Sequence, residues 1–292
     1  MTETGFLLVD KPGGSTSHDV VARVRRISGG KVGHAGTLDP MATGLLVLGL
    51  GRATRLLRFV QGRDKEYVAR AVFGVATDSL DADGAVLERS PMPVTESDVA
   101  EAMGRFVGVI HQVPPMVSAK KIGGRRLYEI ARRGEVVDRP ATAVTIHELE
   151  LTDFAPSDYP EIGFRVVCSS GTYVRTLADD LAASLGGRAH LTELRRTRNG
   201  SVTVDRAVTI DRLENTELGA LVVPPQELLD ELPVLHADEA MAEAIRNGAV
   251  LPATVAPPGA DEGLLQVVTP DGGLVAVCRR EGKKLRPEVV VG

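Results

Sequence analysis

One carboxylate in this chain is presented as a reactive acid would be. In Gly33-His34-Ala35-Gly36-Thr37-Leu38-Asp39-Pro40 a single Asp sits on a glycine-flanked loop, and Met41-Ala42-Thr43-Gly44-Leu45-Leu46-Val47-Leu48-Gly49 follows at once as an apolar anchor. Pro40 disfavours the helical region for Asp39, so the carboxylate takes extended or turn geometry. Gly33, Gly36 and Gly44 tolerate backbone conformations that other residues resist and let a ligand approach closely. Taken alone, an Asp before Pro is more often a surface turn. His34 on the same loop and the apolar run behind it favour an active-site acid. Nothing nearby supplies a cofactor: no P-loop G-x-x-x-x-G-K-[ST] is present, Gly49-Leu50-Gly51 lacks the third glycine of a dinucleotide fingerprint, and His and Cys show no metal-ligand spacing. The expected chemistry is that of side chains without cofactor or metal.

The elements that must carry this loop read as α+β. Gly5 to Val9 forms a short strand, and Ser17 with apolar Val20, Val21, Val24 and Ile27 opens a capped amphipathic helix. Tyr67 to Phe73 alternates as a strand does and stops near Gly74. Thr95-Glu96-Ser97-Asp98 reads as a capping box for a helix with Val99, Met103, Phe106 and Val107 on one face. A short helix is predicted over Arg125 to Arg133, closed by Gly134. Gly163 to Cys168 is a strand, after which a helix starts at Thr172 with Val174, Leu177, Leu181 and Leu185 inward. The irregular alternation predicts an α+β fold on a mixed or antiparallel sheet. An acidic stretch between about 210 and 233, carrying Pro224-Pro225 and Pro233, marks a boundary. The domains are therefore predicted as 1–225 and 234–292. The second, with a helix from Asp238 to Asn247 and strands around Leu264 to Thr269 and Leu274 to Cys278, is small and β-rich.

Composition sets the surroundings. With 43% hydrophobic and 25% charged residues, the 292-residue chain reads as a soluble globular protein, which excludes disordered and fibrous classes. No run approaches the roughly 18 apolar residues of a membrane helix, and the N-terminus lacks a secretory pattern. Cys168 and Cys278 stand far apart, as buried thiols in a reducing cytoplasm do. The net charge of −5 is unevenly distributed: residues 1–70, 112–147 and 186–206 carry +5, +4 and +3, while 76–101 and 208–245 carry −6 and −8. Local positive faces suit phosphate binding whatever the overall sum.

The motifs resemble one family. GHAGTLDPMATGLL is similar to the catalytic motif of the bacterial tRNA pseudouridine-55 synthases, the TruB family. Asp10-Lys11-Pro12-Gly13-Gly14-Ser15-Thr16-Ser17 resembles its DKPxGxTS element, and Lys65-Glu66-Tyr67 its K-x-Y segment. Gln112-Val113-Pro114-Pro115-Met116-Val117-Ser118-Ala119-Lys120-Lys121 is similar to its Q-x-P-P-x-x-S-A-x-K segment. Gly171-Thr172-Tyr173-Val174-Arg175-Thr176-Leu177 and Ala189-His190-Leu191-Thr192-Glu193-Leu194-Arg195-Arg196 resemble its G-T-Y-I-R-x-L and A-H-x-x-x-L-R-R elements. Order and spacing agree across residues 5 to 208.

The resemblance implies the pseudouridine synthase fold, a bent mixed sheet crossed by the active-site cleft, with residues 234–292 in the position of a PUA-type RNA-binding module. It implies that the T-loop uridine of tRNA, position 55, is flipped out and isomerised, with Asp39 as the carboxylate. Arg175, in the first turn of its helix, would hold that carboxylate ionised and oriented. Tyr67 would stack on the base and relay its C5 proton, Leu194 would pack on the other face, and Tyr173 would wall the pocket. His34 would fill the space left by the flipped base. Lys11 takes a phosphate or a structural role, Arg55 a phosphate, and Lys120, Lys121, Arg125, Arg126, Arg195 and Arg196 the RNA backbone. A stand-alone monomer acting on tRNA is expected. The alternative is a tRNA-binding or folding protein, or an RNA-guided subunit with little catalysis of its own.

Overall fold

The computed structural model describes residues 3–116, 137–257, 260 and 263–291, with the backbone of 121–122 and 125–126. In chain order it begins β1 (Gly5–Lys11), α1 (Ser17–Ser28), β2 (Val32–His34), β3 (Thr43–Leu50), α2 (Leu57–Gln61), β4 (Lys65–Phe73), β5 (Val75–Thr77), β6 (Val86–Arg89), α3 (Glu96–Gly104) and β7 (Gly108–Gln112). There follow β8 (Lys121–Ile122), β9 (Arg125–Arg126), β10 (Thr142–Ala155), β11 (Glu161–Cys168), α4 (Val174–Ser184), β12 (Ala189–Asn199), β13 (Val202–Thr203) and α5 (Ile210–Glu214). The C-terminal part holds β14 (Val234–His236), α6 (Glu239–Arg246), β15 (Leu251–Pro252), β16 (Gly263–Val268), β17 (Leu274–Glu281) and β18 (Lys284–Val290).

Nine strands make one sheet along the path β1-β3-β12-β4-β11-β10-β7, with β2 added to β3 and β13 to β12. Every pair is antiparallel except β3 and β12, which run parallel through Thr43 opposite Arg195 and Gly44 opposite Arg196. The sheet is thus mixed, as expected. The register of β12 on β4 and of β10 on β11 shifts along each pair, breaks of the kind that raise local strand twist. Gly44 permits the parallel contact: its φ is +99°, and a Cβ there would lie 2.3 Å from the Arg196 carbonyl oxygen.

Alternation along β1 and β3 gives the sheet two cores. Leu7, Val9, Leu46 and Leu48 face Val20, Val24, Leu177 and Leu181 of the helical layer. Phe6, Leu8, Leu45 and Val47 join a second cluster with Leu228, Leu229, Val268, Val277, Val289 and Val291. The C-terminal sheet, ordered β14-β16-β17-β18-β15, therefore shares apolar packing with the large sheet and closes a further core around Leu235, Ile245, Leu265 and Val267.

Several local expectations shift. Thr16, not Ser17, caps α1, in a capping box with Asp19, and Ile27 is 39% exposed rather than inward. The capping box of α3 forms at Thr95 and Asp98, but α3 stops at Gly104, so Val107 lies beyond it and is exposed. Leu185 falls at the C-cap of α4, one residue past the helix. Where a helix was predicted to start, Arg125–Arg126 is a strand paired with Lys121–Ile122. The Gly123-Gly124 dipeptide between them is a hairpin signal that the helical reading overlooked. Residues 127–133 of that predicted helix, and Lys120, lie outside the described residues.

Candidate active site

A cavity of about 560 Å³ opens over the middle of the sheet, with Asp39, Tyr67, Tyr173, Arg175, Leu194 and Arg196 in its lining. Asp39 reaches it because both neighbours in the chain are gripped. The buried Ser17 hydroxyl accepts from the Leu38 N–H at 2.9 Å and donates to the Leu38 carbonyl at 3.1 Å. On the other side, the Pro40 carbonyl accepts from Lys11 Nζ at 3.2 Å and from the Gly14 N–H at 2.9 Å. Lys11 is fully buried and also donates to the Pro12 and Ser15 carbonyls. Burial lowers its pKa to about 8. Of the two roles expected for Lys11, the geometry is that of a loop brace, since no part of it reaches solvent.

Arg175 is the centre of the charge arrangement. It is 3% exposed, and its guanidinium meets Asp39 in a two-point contact, Nε to Oδ2 at 3.0 Å and Nη2 to Oδ1 at 3.1 Å. Nη1 donates to the Ser79 carbonyl at 2.6 Å and lies 3.1 Å from Asp81 Oδ2. One guanidinium is therefore shared by two carboxylates, a fork geometry that arginine supplies and lysine does not. The Asp39 side chain keeps 32% exposure toward the cavity. Burial pushes its carboxyl above the usual carboxylate range, Arg175 pulls it back, and Asp81 adds to the upward push.

Asp81 was not anticipated. Its neighbour Leu80 is, among the described residues, the non-glycine residue with positive φ, 62°, and the Leu80 carbonyl accepts from the Leu191 N–H. Ser79 Oγ donates to Asp81 Oδ1, and Thr77 Oγ1 to the Asp81 carbonyl. The β5–β6 hairpin thus carries a second acid into the site. The acidic run Asp78-Ser79-Leu80-Asp81-Ala82-Asp83-Gly84 holds the signal, a tight acidic turn ending in glycine, which a count of charge alone registers only as a negative segment.

Two strands build the wall. Leu194 and Arg196 are two apart on β12 and share a face, and Tyr67 on β4 is the cross-strand partner of Arg196. Burial pushes the Tyr67 phenol upward, and Arg196 opposes that shift. Arg196, expected on the RNA backbone, is 1% exposed, with Nε donating to the Leu45 carbonyl and Nη2 to the Gly36 carbonyl. It is corrected to a buried strut beneath the Asp39 loop. Tyr173 is at the N-cap of α4, where the buried Gln112 side chain accepts from its N–H at 3.0 Å and donates to its carbonyl at 3.2 Å. Lys65, also unforeseen, lines the cavity and donates to the Gln61 and Arg63 carbonyls; burial lowers its pKa to about 8.

Other predicted site residues lie elsewhere. His34 is on β2, outside the cavity lining, edge-on to His18 with centroids 5.5 Å apart. Arg55 is exposed and donates to the Val290 carbonyl at 3.0 Å. Arg195 forms a two-point pair with Asp10. Among the described residues, no group of His, Cys, Asp and Glu is placed to hold a metal.

A recessed Asp–Arg pair above a bent mixed sheet, with an aromatic and an aliphatic wall, matches the class indicated by three consecutive family models. These are the TruB family pseudouridylate synthase N-terminal domain over residues 24–174, the tRNA pseudouridylate synthase B C-terminal domain over 175–232, and the tRNA pseudouridine synthase II C-terminal domain over 232–292. The chain belongs to the TruB family of pseudouridylate synthases. It is 45% identical to tRNA pseudouridine synthase B of Thermobifida fusca over 98% of both chains. To that of Symbiobacterium thermophilum it is 48% identical, over 84% of this chain and 82% of the other. Among solved structures it is similar to a chain of a Cbf5-Nop10-Gar1 complex, with TM-score 0.76, 26% identity, and coverage of 99% of this chain and 85% of that one. A chain of an H/ACA RNP bound to a substrate RNA containing 2′-deoxyuridine gives TM-score 0.75 and 25% identity, with the same coverage.

Proposed function

We propose that this protein isomerises the T-loop uridine at position 55 of tRNA to pseudouridine, with Asp39 as the acting carboxylate. The observation that carries the reading is Asp39 locked by the Arg175 fork in a nucleotide-sized cavity that Tyr67 and Leu194 also line. The reaction breaks the C1′–N1 bond, turns the uracil and joins C5 to C1′. The leaving group is also the incoming nucleophile, so the enzyme must supply an ionised carboxylate at the sugar, a carrier for the C5 proton and a pocket that retains the freed base. Asp39 acts at C1′ as a nucleophile or takes a C2′ proton; Arg175 keeps it charged and aimed. Tyr67 and Leu194 hold the base on two sides, with the Tyr67 hydroxyl as proton carrier, and Tyr173 closes the wall. The base is first flipped from a folded loop, which costs a few kcal/mol of stacking.

Residues 1–225 act as the catalytic domain and 234–292 as a PUA-like RNA-binding module of a cytoplasmic monomer. An RNA-guided role is the competing reading, drawn from the structural likeness to chains of H/ACA complexes. The higher identity to a protein named tRNA pseudouridine synthase B, across nearly the whole of both chains, supports tRNA as the direct substrate. The test is to incubate purified protein with an unmodified tRNA transcript and map pseudouridine by carbodiimide labelling and primer extension. A stop at the T-loop uridine without added guide RNA is expected. Modification that requires a guide, or none at any position, would overturn the proposal.

A further inference from the structure

The cations of the cavity fall into two kinds. Lys65, Arg175 and Arg196 are buried, and each donates to carbonyls or carboxylates of the fold. Arg58, on α2, is the lining cation of the described residues whose side chain stands open, at 52% exposure. Its guanidinium lies over the Phe59 ring, 4.7 Å from the centroid. Its Nη2 lies 2.9 Å from Glu288 Oε1 on β18, a carboxylate that also meets Arg279 at 2.9 Å. Arg52 and Arg55, on the preceding turn, donate to the Val291 and Val290 carbonyls. The end of the C-terminal module is therefore held against the segment that carries Arg58 at the cavity rim.

RNA delivering a nucleotide to Asp39 must bring its phosphates past this rim. We propose that Arg58 binds a backbone phosphate of that RNA, and that Glu288 is the carboxylate it gives up in exchange, so that the C-terminal module sets substrate affinity from the edge of the pocket. This rests on the RNA reading above. Carboxylate and phosphodiester oxygens offer the same acceptor geometry to a guanidinium, and an exposed ion pair is weak and salt-screened, so the exchange is readily reversible.

The experiment measures equilibrium binding of an unmodified tRNA transcript in the Asp39→Asn background, which leaves the RNA chemically unchanged, between roughly 50 and 200 mM salt. Arg58→Gln is expected to weaken binding and to lower the slope of log affinity against log salt by about 1. Glu288→Gln is expected to tighten binding a few-fold at low salt, because the competing charge is gone. That gain should vanish in the Arg58→Gln/Glu288→Gln double variant. An unchanged slope for Arg58→Gln, weaker or unaltered binding by Glu288→Gln, or a gain that survives without Arg58 would each overturn the inference. Melting curves of the variants confirm folding. Turnover by the unsubstituted enzyme on the same transcript separates the two readings: an inactive enzyme overturns the proposed function, and an active one with an indifferent Arg58 overturns this inference alone.

Discussion

Asp39 and Arg175 act as one unit, so their losses should not add. Asp39→Asn should abolish turnover while leaving tRNA affinity within a few-fold, since the amide is nearly isosteric and touches little of the RNA. Arg175→Met should be severely impaired, and the double variant little worse than Asp39→Asn, in single-turnover assays. Additive, independent losses would place Arg175 in RNA binding instead. The rate should rise with pH through a midpoint above the ordinary carboxylate value, because burial raises the Asp39 carboxyl and only its ionised form reacts. Asp81 contributes to that upward push, so Asp81→Asn should move the midpoint to lower pH; a midpoint that stays or rises would remove Asp81 from the electrostatics. The Asp39 loop and the helical placement of Arg175 were legible because both rest on neighbours in sequence. Asp81 was not, because it depends on Leu80 taking a left-handed conformation and on a bridge to Leu191.

Backbone clamps give the loop its precision at the level of elements. Ser17→Ala strips the buried Leu38 N–H and carbonyl of their shared partner, so a stability loss of about 1–3 kcal/mol by urea titration is expected, with a fall in kcat larger than any change in KM. An unaltered kcat would leave Ser17 with no part in aiming Asp39. Gly44→Ala meets the Arg196 backbone while forcing a positive φ on alanine, and strain of that kind costs about 1–3 kcal/mol before the clash is counted. An unshifted urea midpoint would contradict it. Periodicity made β1, β4, β11, α1 and α6 readable. Strand β12 escaped because its buried positions include His190 and Arg196 where a pattern of apolar residues is sought. Its parallel contact with β3 leaves no local mark at all.

The whole molecule is organised around a sheet covered on both sides, which bears on where it can be cut. Truncation after Leu232 would take Val268, Leu274, Val277, Val289 and Val291 out of the core they share with Phe6, Leu8, Leu45 and Val47, and each buried side chain of this size contributes about 1.5–3 kcal/mol. The shortened chain should unfold at clearly lower urea concentration than the full one; an equal midpoint would show that the C-terminal sheet only leans on the first. The proline-rich acidic stretch reads as a boundary in sequence, but the core shared across it has no mark there, since its two halves come from opposite ends of the chain.

The Arg196 strut reaches Leu45 across 151 positions of sequence, and that span has a meaning for the making of the protein. At roughly 5–20 residues per second, a ribosome needs on the order of 10 s between releasing the Asp39 loop and releasing the strand that seats it. Through that interval β3 has β1 along one edge and β2 along part of the other, and on that second edge its Thr43–Gly44 end still lacks the β12 partner. Until β12 arrives the Asp39 loop lacks the two carbonyl contacts of Arg196, so the floor of the site is among the later parts of the fold to be completed during translation.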